Sequence, residues 1–290
     1  MTGSTVWIAS YPKSGSTWLR AVATALRLRR APGLDELDGG TMTASRAVLD
    51  AATGVASSCM TADEIDLVRP GVDELLATEG RRGESRLRKV HDAFVVGPAG
   101  APVVSVAATR GAIYMVRDPR DVVVSYAHHA GRSHAWAVQH LGDPAAAMAA
   151  SPGGLHHQVR QRLATWSSHV TSWVDAAPFP VHVLRYEDCA AAPVDSFAGA
   201  LRFAGLEASE QTVATAVGHA SFERLRAAEV ASGFRERPST VGSFFRRGES
   251  GAWRDELSPE LAARVEADHG DVMARLGYVT QRRELLDMPR

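Results

Sequence analysis

Residues 6–26 read VWIASYPKSGSTWLRAVATAL. A five-residue run, Val6 to Ser10, stops at a Pro/Gly/Ser/Thr cluster, and helical spacing takes over from residue 16 to residue 29. An apolar run this short, closed by turn residues, is the pattern of a strand buried on both faces. The pattern recurs. In GAIYMVRDPRDVVVSYAHHA, Ala112–Val116 reads as a strand, and Asp118-Pro119 opens a helix that continues through Tyr126. In FPVHVLRYEDCAAAP the strand is Val181–Arg185. The stretch before it, VRQRLATWSSHVTSWVDAA, reads as one helix with Leu163, Trp166, Val170, Trp173 and Val174 along one face. Buried strands alternating with helices predict an α/β fold, a mainly parallel central sheet flanked by helices. With 290 residues the chain suits one domain, with a core over about 5–280, and two domains would be cramped.

Three stretches lack this order. Residues 141–155, LGDPAAAMAASPGGL, read as a mobile segment, although the alanines equally suit a short helix. Residues 230–252 mix Gly, Ser, Pro and Arg without a period and read as a second mobile segment, and the charged tail after Thr280 as a frayed end. A formal net charge of -1 argues against binding to nucleic acid or to acidic membranes. No apolar run reaches the roughly 18 residues a membrane span needs. The start MTGSTVWIAS lacks the basic and apolar regions of a signal peptide. The expectation is a cytoplasmic protein. Cys59 and Cys189 are too few for a disulfide framework, and no His/Cys/Asp/Glu group shows ligand spacing, so no metal is expected.

A strand, a turn containing Gly15 and a helix opened by Ser16 and Thr17 form the outline of an anion cradle. Backbone N–H groups converge there and the helix dipole adds positive charge. A strand–helix turn whose hydroxyls only cap the helix has the same outline. The lysine precedes the only glycine of the turn, so this is not the GxxxxGK[ST] loop of magnesium-dependent nucleotide hydrolases. Of 32 basic residues, two are lysines, Lys13 and Lys89. In a chain that otherwise uses arginine, these are positions where a compact point charge is wanted over a planar fork.

The segment YPKSGSTW resembles the phosphosulfate loop of the sulfotransferases that use 3′-phosphoadenosine 5′-phosphosulfate (PAPS). The resemblance continues through KVH at 89–91, similar to that family's KTH, and through YMVRDPRDVVVSY, similar to its 3′-phosphate segment. LRYED and RRGESGAWR complete five motifs in the family's order. The resemblance implies a P-loop-kinase-like architecture and PAPS as donor co-substrate, leaving as adenosine 3′,5′-bisphosphate. It assigns Lys13, Ser14, Gly15, Ser16 and Thr17 to the 5′-phosphosulfate. Arg117, Ser125, Arg246, Arg247 and Gly248 go to the 3′-phosphate, and Trp18, Phe222 and Tyr186 to the adenine. The family commonly has threonine where this chain has Ala220, which puts the adenine edge in question.

Among 11 histidines, His91 stands out through the KxH spacing, which in an extended segment puts Lys89 and His91 on one face. It is the candidate general base toward the acceptor proton, with His128 and His129 ranked below it. Lys13 is the candidate partner of the leaving oxygen and Lys89 of the transferred group. The resemblance implies a small organic acceptor bearing a hydroxyl, an alcohol or phenol. Its pocket is expected from segments 40–60, 92–104 and 128–155, which carry Phe94, Tyr126 and Trp136. Monomer and homodimer both remain open. A P-loop-like kinase and an inert nucleotide-binding protein are the competing readings. The kinase lacks its lysine, and the inert binder leaves Lys13 and His91 together without a use.

The lysine argument is directly testable. Lys13→Ala is expected to lower kcat on the order of 10²-fold, the scale of losing one donor to a developing oxyanion, and Lys13→Arg is expected to be poor as well. Rates at saturating donor measure this, and near-wild-type turnover would refute the role.

Overall fold

Val6 and Ile8 face one side of the first strand and Trp7 and Ala9 the other, and all four are fully buried. Such a strand needs cover on both faces, and the fold supplies it. The computed structural model of the protein describes residues 4–37, 44–78, 86–150 and 155–280. β1 (Thr5–Ala9) leads into α1 (Ser16–Leu28); α2 (Arg46–Thr53) and α3 (Ala62–Thr78) precede β2 (Arg86–Val90). β3 (Thr109–Val116) leads into α4 (Pro119–Ala130) and α5 (His134–Leu141). A short antiparallel ribbon, β4 (Ala147–Met148) with β5 (Gln161–Arg162), precedes α6 (Trp166–Val174) and β6 (Val181–Arg185). The chain continues through α7 (Tyr186–Ala191), α8 (Pro193–Phe203), α9 (Glu210–His219) and α10 (Phe222–Ser232). It ends its described part with α11 (Trp253–Glu256) and α12 (Pro259–Arg275).

The central sheet has the order β2-β1-β3-β6 and is parallel throughout. Ala9 lies opposite both Val90 and Tyr114, and Val116 lies opposite Arg185, so all four strands end on one edge. That edge is where open α/β sheets place ligands. One core layer packs Trp7, Tyr114, Trp166 and Trp173 on one face of the sheet. The other packs Ile8, Ile113, Met115, Leu19 and Phe197. No described helix is long and apolar enough to cross a membrane.

The three strands and the α/β class agree with the sequence reading, while the single helix over 159–177 does not. Ala164 adopts φ 56°, in the left-handed region, and Thr165 caps a helix that starts only at Trp166. Residues 161–162 pair instead with 147–148, inside the segment read as irregular. Leu163, Trp166, Val170 and Trp173 are buried as expected, and Val174 is only partly covered. The segment 230–252 begins as the last turn of α10, and Gly233, at φ 73°, ends that helix. The frayed tail expected after Thr280 lies outside the described residues.

The exit of β2 is held by buried polar contacts. Trp173 donates its indole N–H to the Asp92 carbonyl at 2.9 Å, and His169 Nε2 donates to the His91 carbonyl at 3.0 Å. Tyr114 donates to the other nitrogen of His169 at 2.8 Å, which fixes that tautomer. Arg69 on α3 forms a fork on the Asp92 carboxylate at 3.0 and 2.6 Å, with both side chains sealed from solvent. Removing one partner of a buried pair leaves an uncompensated charge, which costs about 3–5 kcal/mol. Arg69→Leu is therefore expected to lose about that much stability in urea unfolding. A loss under 1 kcal/mol would show that the fork carries little.

Candidate active site

The loop after β1 is shaped by two left-handed residues, Lys13 at φ 70° and Gly15 at φ 103°. A Cβ on Gly15 would lie 2.7 Å from the Tyr186 ring and 2.8 Å from Met115, so only glycine fits. Gly15 is also the N-cap of α1. No side chain caps that helix, and its first turn carries no acid. The capping alternative for Ser16 and Thr17 therefore fails, and the first amides of α1 are left for an anion.

These residues open on a cavity of about 480 Å³ at the sheet's carboxyl edge. It is lined by Lys89, His91 and every residue expected to hold the donor except Ser14, whose hydroxyl is buried without a partner. Gly15, Ser16, Thr17 and Trp18 come from the loop and first turn, Lys89 and His91 from the end of β2, and Arg117 and Ser125 from the β3–α4 unit. Tyr186 follows β6, Phe222 opens α10, and Arg246, Arg247 and Gly248 come from the segment before α11.

Lys13 places its ammonium 3.7 Å from the centre of the Phe244 ring. Burial, with Lys89 and Arg117 nearby, brings its pKa down to about 7. Lys89 donates to Glu236 at 2.8 Å, and the other oxygen of that carboxylate accepts from Arg20 at 2.6 Å. Burial lowers the Lys89 pKa, with Glu236 opposing the shift. For Glu236 burial acts upward, but Lys89 and Arg20 outweigh it and hold the carboxyl far below the usual range.

His91 Nδ1 lies 2.8 Å from the Ser10 carbonyl, which can only accept, so Nδ1 carries the proton and Nε2 keeps its lone pair. Burial, then Lys89, pushes its pKa well below that of a free imidazole. The result is a neutral base of fixed tautomer.

At the other end, Arg117 lies 4.3 Å from the centre of the Tyr186 ring and donates to the Glu249 carbonyl at 2.6 Å. Its Nε has no partner, and neither has the indole N–H of Trp18, which meets Tyr186 edge-on at 5.8 Å. Tyr186 donates to the Gly248 carbonyl at 2.8 Å and so braces the segment over Arg117. Gly248, at φ 71°, lies so close to Phe222 that a Cβ would sit 2.3 Å from the ring. Arg246 forks onto Glu256 at 2.6 and 2.9 Å, and Arg247 pairs with Glu256 at 3.0 Å and Glu249 at 3.1 Å. Ala220 is fully buried and does not line the cavity.

The acceptor-pocket aromatics expected from the sequence lie elsewhere. Phe94 packs on Trp173 and Phe179 at 5.6 and 5.4 Å, Tyr126 is buried against Tyr11, and Trp136 stacks on His140 at 4.9 Å. Apolar packing took Tyr126 into the core and set the partly buried Phe94 and Trp136 against it. The cavity takes His129, Met148 and Ala149 from the expected segments, and His156, His157 and residues 235–238 from outside them. His128 turns away to the Ser243 carbonyl at 2.9 Å. Glu236 and Phe244 were missed because single residues in an aperiodic stretch carry no pattern. Among the described residues no group of three or more His, Cys, Asp or Glu could hold a metal ion.

Residues 4–277 match the family model described as the sulfotransferase domain. The chain is 25% identical over 275 residues to sulfotransferase 1A1 of Canis lupus familiaris, covering 93% of this chain and 83% of that one. It is 23% identical to a flavonol 3-sulfotransferase of Flaveria bidentis, covering 94% and 83%. In fold it is similar to a retinol dehydratase solved with androsterone and the inactive cofactor PAP, with a TM-score of 0.56, 20% identity and coverage of 94% and 81%. A mouse sulfotransferase solved with PAP gives a TM-score of 0.56 at 20% identity, covering 93% and 84%.

With its pKa near 7, Lys13 loses its proton as the pH rises through neutrality, and an anion on the loop favours the protonated form. Sulfate keeps its charge over this range. Its affinity should be flat below pH 7 and fall toward tenfold per unit above it, with proton uptake on binding, as calorimetry in buffers of different ionisation enthalpy would read. A pH-independent affinity from 6 to 9 would contradict the assignment.

Proposed function

The chain belongs to the sulfotransferase family, and from that premise we propose that it moves a sulfuryl group from PAPS to a hydroxyl of a small alcohol or phenol, with His91 as general base. One observation carries the reading. A neutral imidazole with its free nitrogen unprotonated shares a single cavity with an uncapped, lysine-bearing anion loop.

The residues present fit the donor. The amides of Gly15, Ser16 and Thr17 with Lys13 suit a phosphosulfate, and Ser14 contributes backbone at most. Arg117, with its Nε unpartnered, suits the 3′-phosphate together with Ser125 and Gly248. Arg246 and Arg247 join it by exchanging the carboxylates of Glu256 and Glu249 for phosphate oxygens. Trp18 and Phe222 supply apolar surface for the base, while Tyr186 acts as the brace of this end. Residues 5–280 form one catalytic unit in this reading.

The chemistry then follows from charge and proton placement. The acceptor oxygen bonds to sulfur, its proton passes to His91 Nε2, and the bond from sulfur to the phosphate oxygen breaks. The electron pair stays on that oxygen, whose charge the Lys13 ammonium would stabilise. Lys89, which also lines the cavity, would act on the oxygens of the transferred group. A charge in a buried site acts with little screening, so these two cations stabilise developing negative charge without a metal.

His91→Ala is expected to lower kcat by roughly 10² to 10⁴ while thermal stabilisation by adenosine 3′,5′-bisphosphate persists. A phenol of low pKa sheds its proton with little help, so its loss should be far smaller than that of an aliphatic alcohol. Equal losses with both acceptors, or a variant that no longer responds to the bisphosphate, would make His91 a scaffold residue. If ATP with magnesium stabilised the wild type and the bisphosphate did not, the donor assignment would fail.

A further inference from the structure

Glu236 lies in the irregular segment after α10, in a place set by aromatic packing. Phe234 stacks on Phe245 with ring centres 5.8 Å apart and meets Phe244 edge-on at 4.8 Å. Glu229 on α10 accepts the backbone N–H of Phe244 at 2.7 Å and of Phe245 at 3.0 Å. With the backbone held, the Glu236 carboxylate divides its two oxygens. Oε1 accepts from Arg20 at 2.6 Å and Oε2 from Lys89 at 2.8 Å, and the Arg20 and Lys89 side chains are only 3% and 7% exposed. Arg20 stands on α1, the helix of the anion loop. Lys89 stands two residues before His91. One carboxylate thus joins the loop helix, the strand that ends in the base, and the segment that leads to Arg246–Gly248.

We propose that Glu236 is a positioning residue for the transfer step: it holds the Lys89 ammonium in the cavity wall beside His91 and, through Arg20, locks segment 233–252 onto the helix of the phosphosulfate loop. The ion triad is a feature of the fold, and its link to transfer rests on the function proposed above. A buried ammonium without a counterion sheds its proton. The charged and titratable groups around Lys89 offer few substitutes. Lys13 on the loop and Arg20 on α1 are cations, and His91 and His129 are held neutral. Glu229, the other acid acting on Lys13, is committed to two backbone amides and to Arg237 at 3.4 Å. Glu236 is therefore what keeps Lys89 charged, and it supports the charge of Lys13 as well.

The sequence makes this measurable, because Lys13 and Lys89 are its only lysines. The full chain labelled with 13Cε-lysine gives two resonances, assigned with Lys13→Met, and each titrates in place. In Glu236→Gln the Lys89 resonance should titrate at least one pH unit lower than in wild type. The basic limb of kcat should move the same way, with a fall of tenfold or more near pH 8 and a donor KM within about threefold. Glu236→Asp, which keeps the charge but withdraws it by one methylene, should show a smaller displacement in the same direction, and it serves alone if the Gln variant does not fold. Unchanged titration of Lys89 in either variant overturns the proposal. So does a pH profile of wild-type shape at a uniformly lower rate, the mark of a merely structural role. A wild type that transfers no sulfuryl group while Lys89 is displaced in the variants would overturn the proposed function and uphold the triad.

Discussion

Like charges crowd the floor of one cavity, and holding them there is the problem the rest of the site answers. Lys13, Lys89 and Arg117 approach from three different segments and Arg20 joins them through Glu236, and Arg20, Lys89 and Arg117 are withdrawn from water. Cations in such a place repel one another and lose hydration, which is why the Lys13 pKa falls to about 7. The protein offsets this with one divided carboxylate, Glu236, and with the faces of Phe244 and Tyr186 under Lys13 and Arg117. The remaining excess of positive charge is what a polyanionic donor would relieve.

That crowding is produced by the sheet. Four parallel strands end on one edge, so the residues that follow β1, β2, β3 and β6 reach one place although they lie over a hundred positions apart. The edge is stiffened from behind. His169 and Trp173 on α6 hold the carbonyls of His91 and Asp92, and Arg69 on α3 holds the Asp92 carboxylate. The His91 ring is in turn tied to Ser10 at the end of β1. A side chain oriented by three elements has little freedom left to lose, which is the condition that the proton transfer proposed for His91 would need.

The segment 233–252 answers a different need, since one flank of the cavity has no strand behind it. Carboxylates fasten the segment instead. Glu229 takes the amides of Phe244 and Phe245, and Asp121 on α4 takes those of Gly251 at 2.7 Å and Trp253 at 2.9 Å. Arg246 and Arg247 spend their charge on Glu256 and Glu249, so this end of the cavity is electrostatically balanced as it stands. Exchange of carboxylate for phosphate there is a trade between similar partners, which suits a site that must release its product.

By itself the sequence determined the α/β class and three of the four central strands, and with its family resemblance it named fewer than half of the residues that line the cavity. Those signals are local: a buried strand must be apolar throughout, a left-handed turn needs Gly15, and a lysine kept in an arginine-rich chain marks a position. The fourth strand was readable only as a KxH spacing. Tertiary structure decided what depends on distant partners. It broke the helix expected over 159–177 at Ala164, took Tyr126 into the core and packed Phe94 and Trp136 against it. It also brought Glu236 across to Lys89 and Arg20, contacts separated by 147 and 216 positions. Periodicity records which face of an element is buried. It does not record what that face meets, because that is set by the packing of elements far apart in the chain.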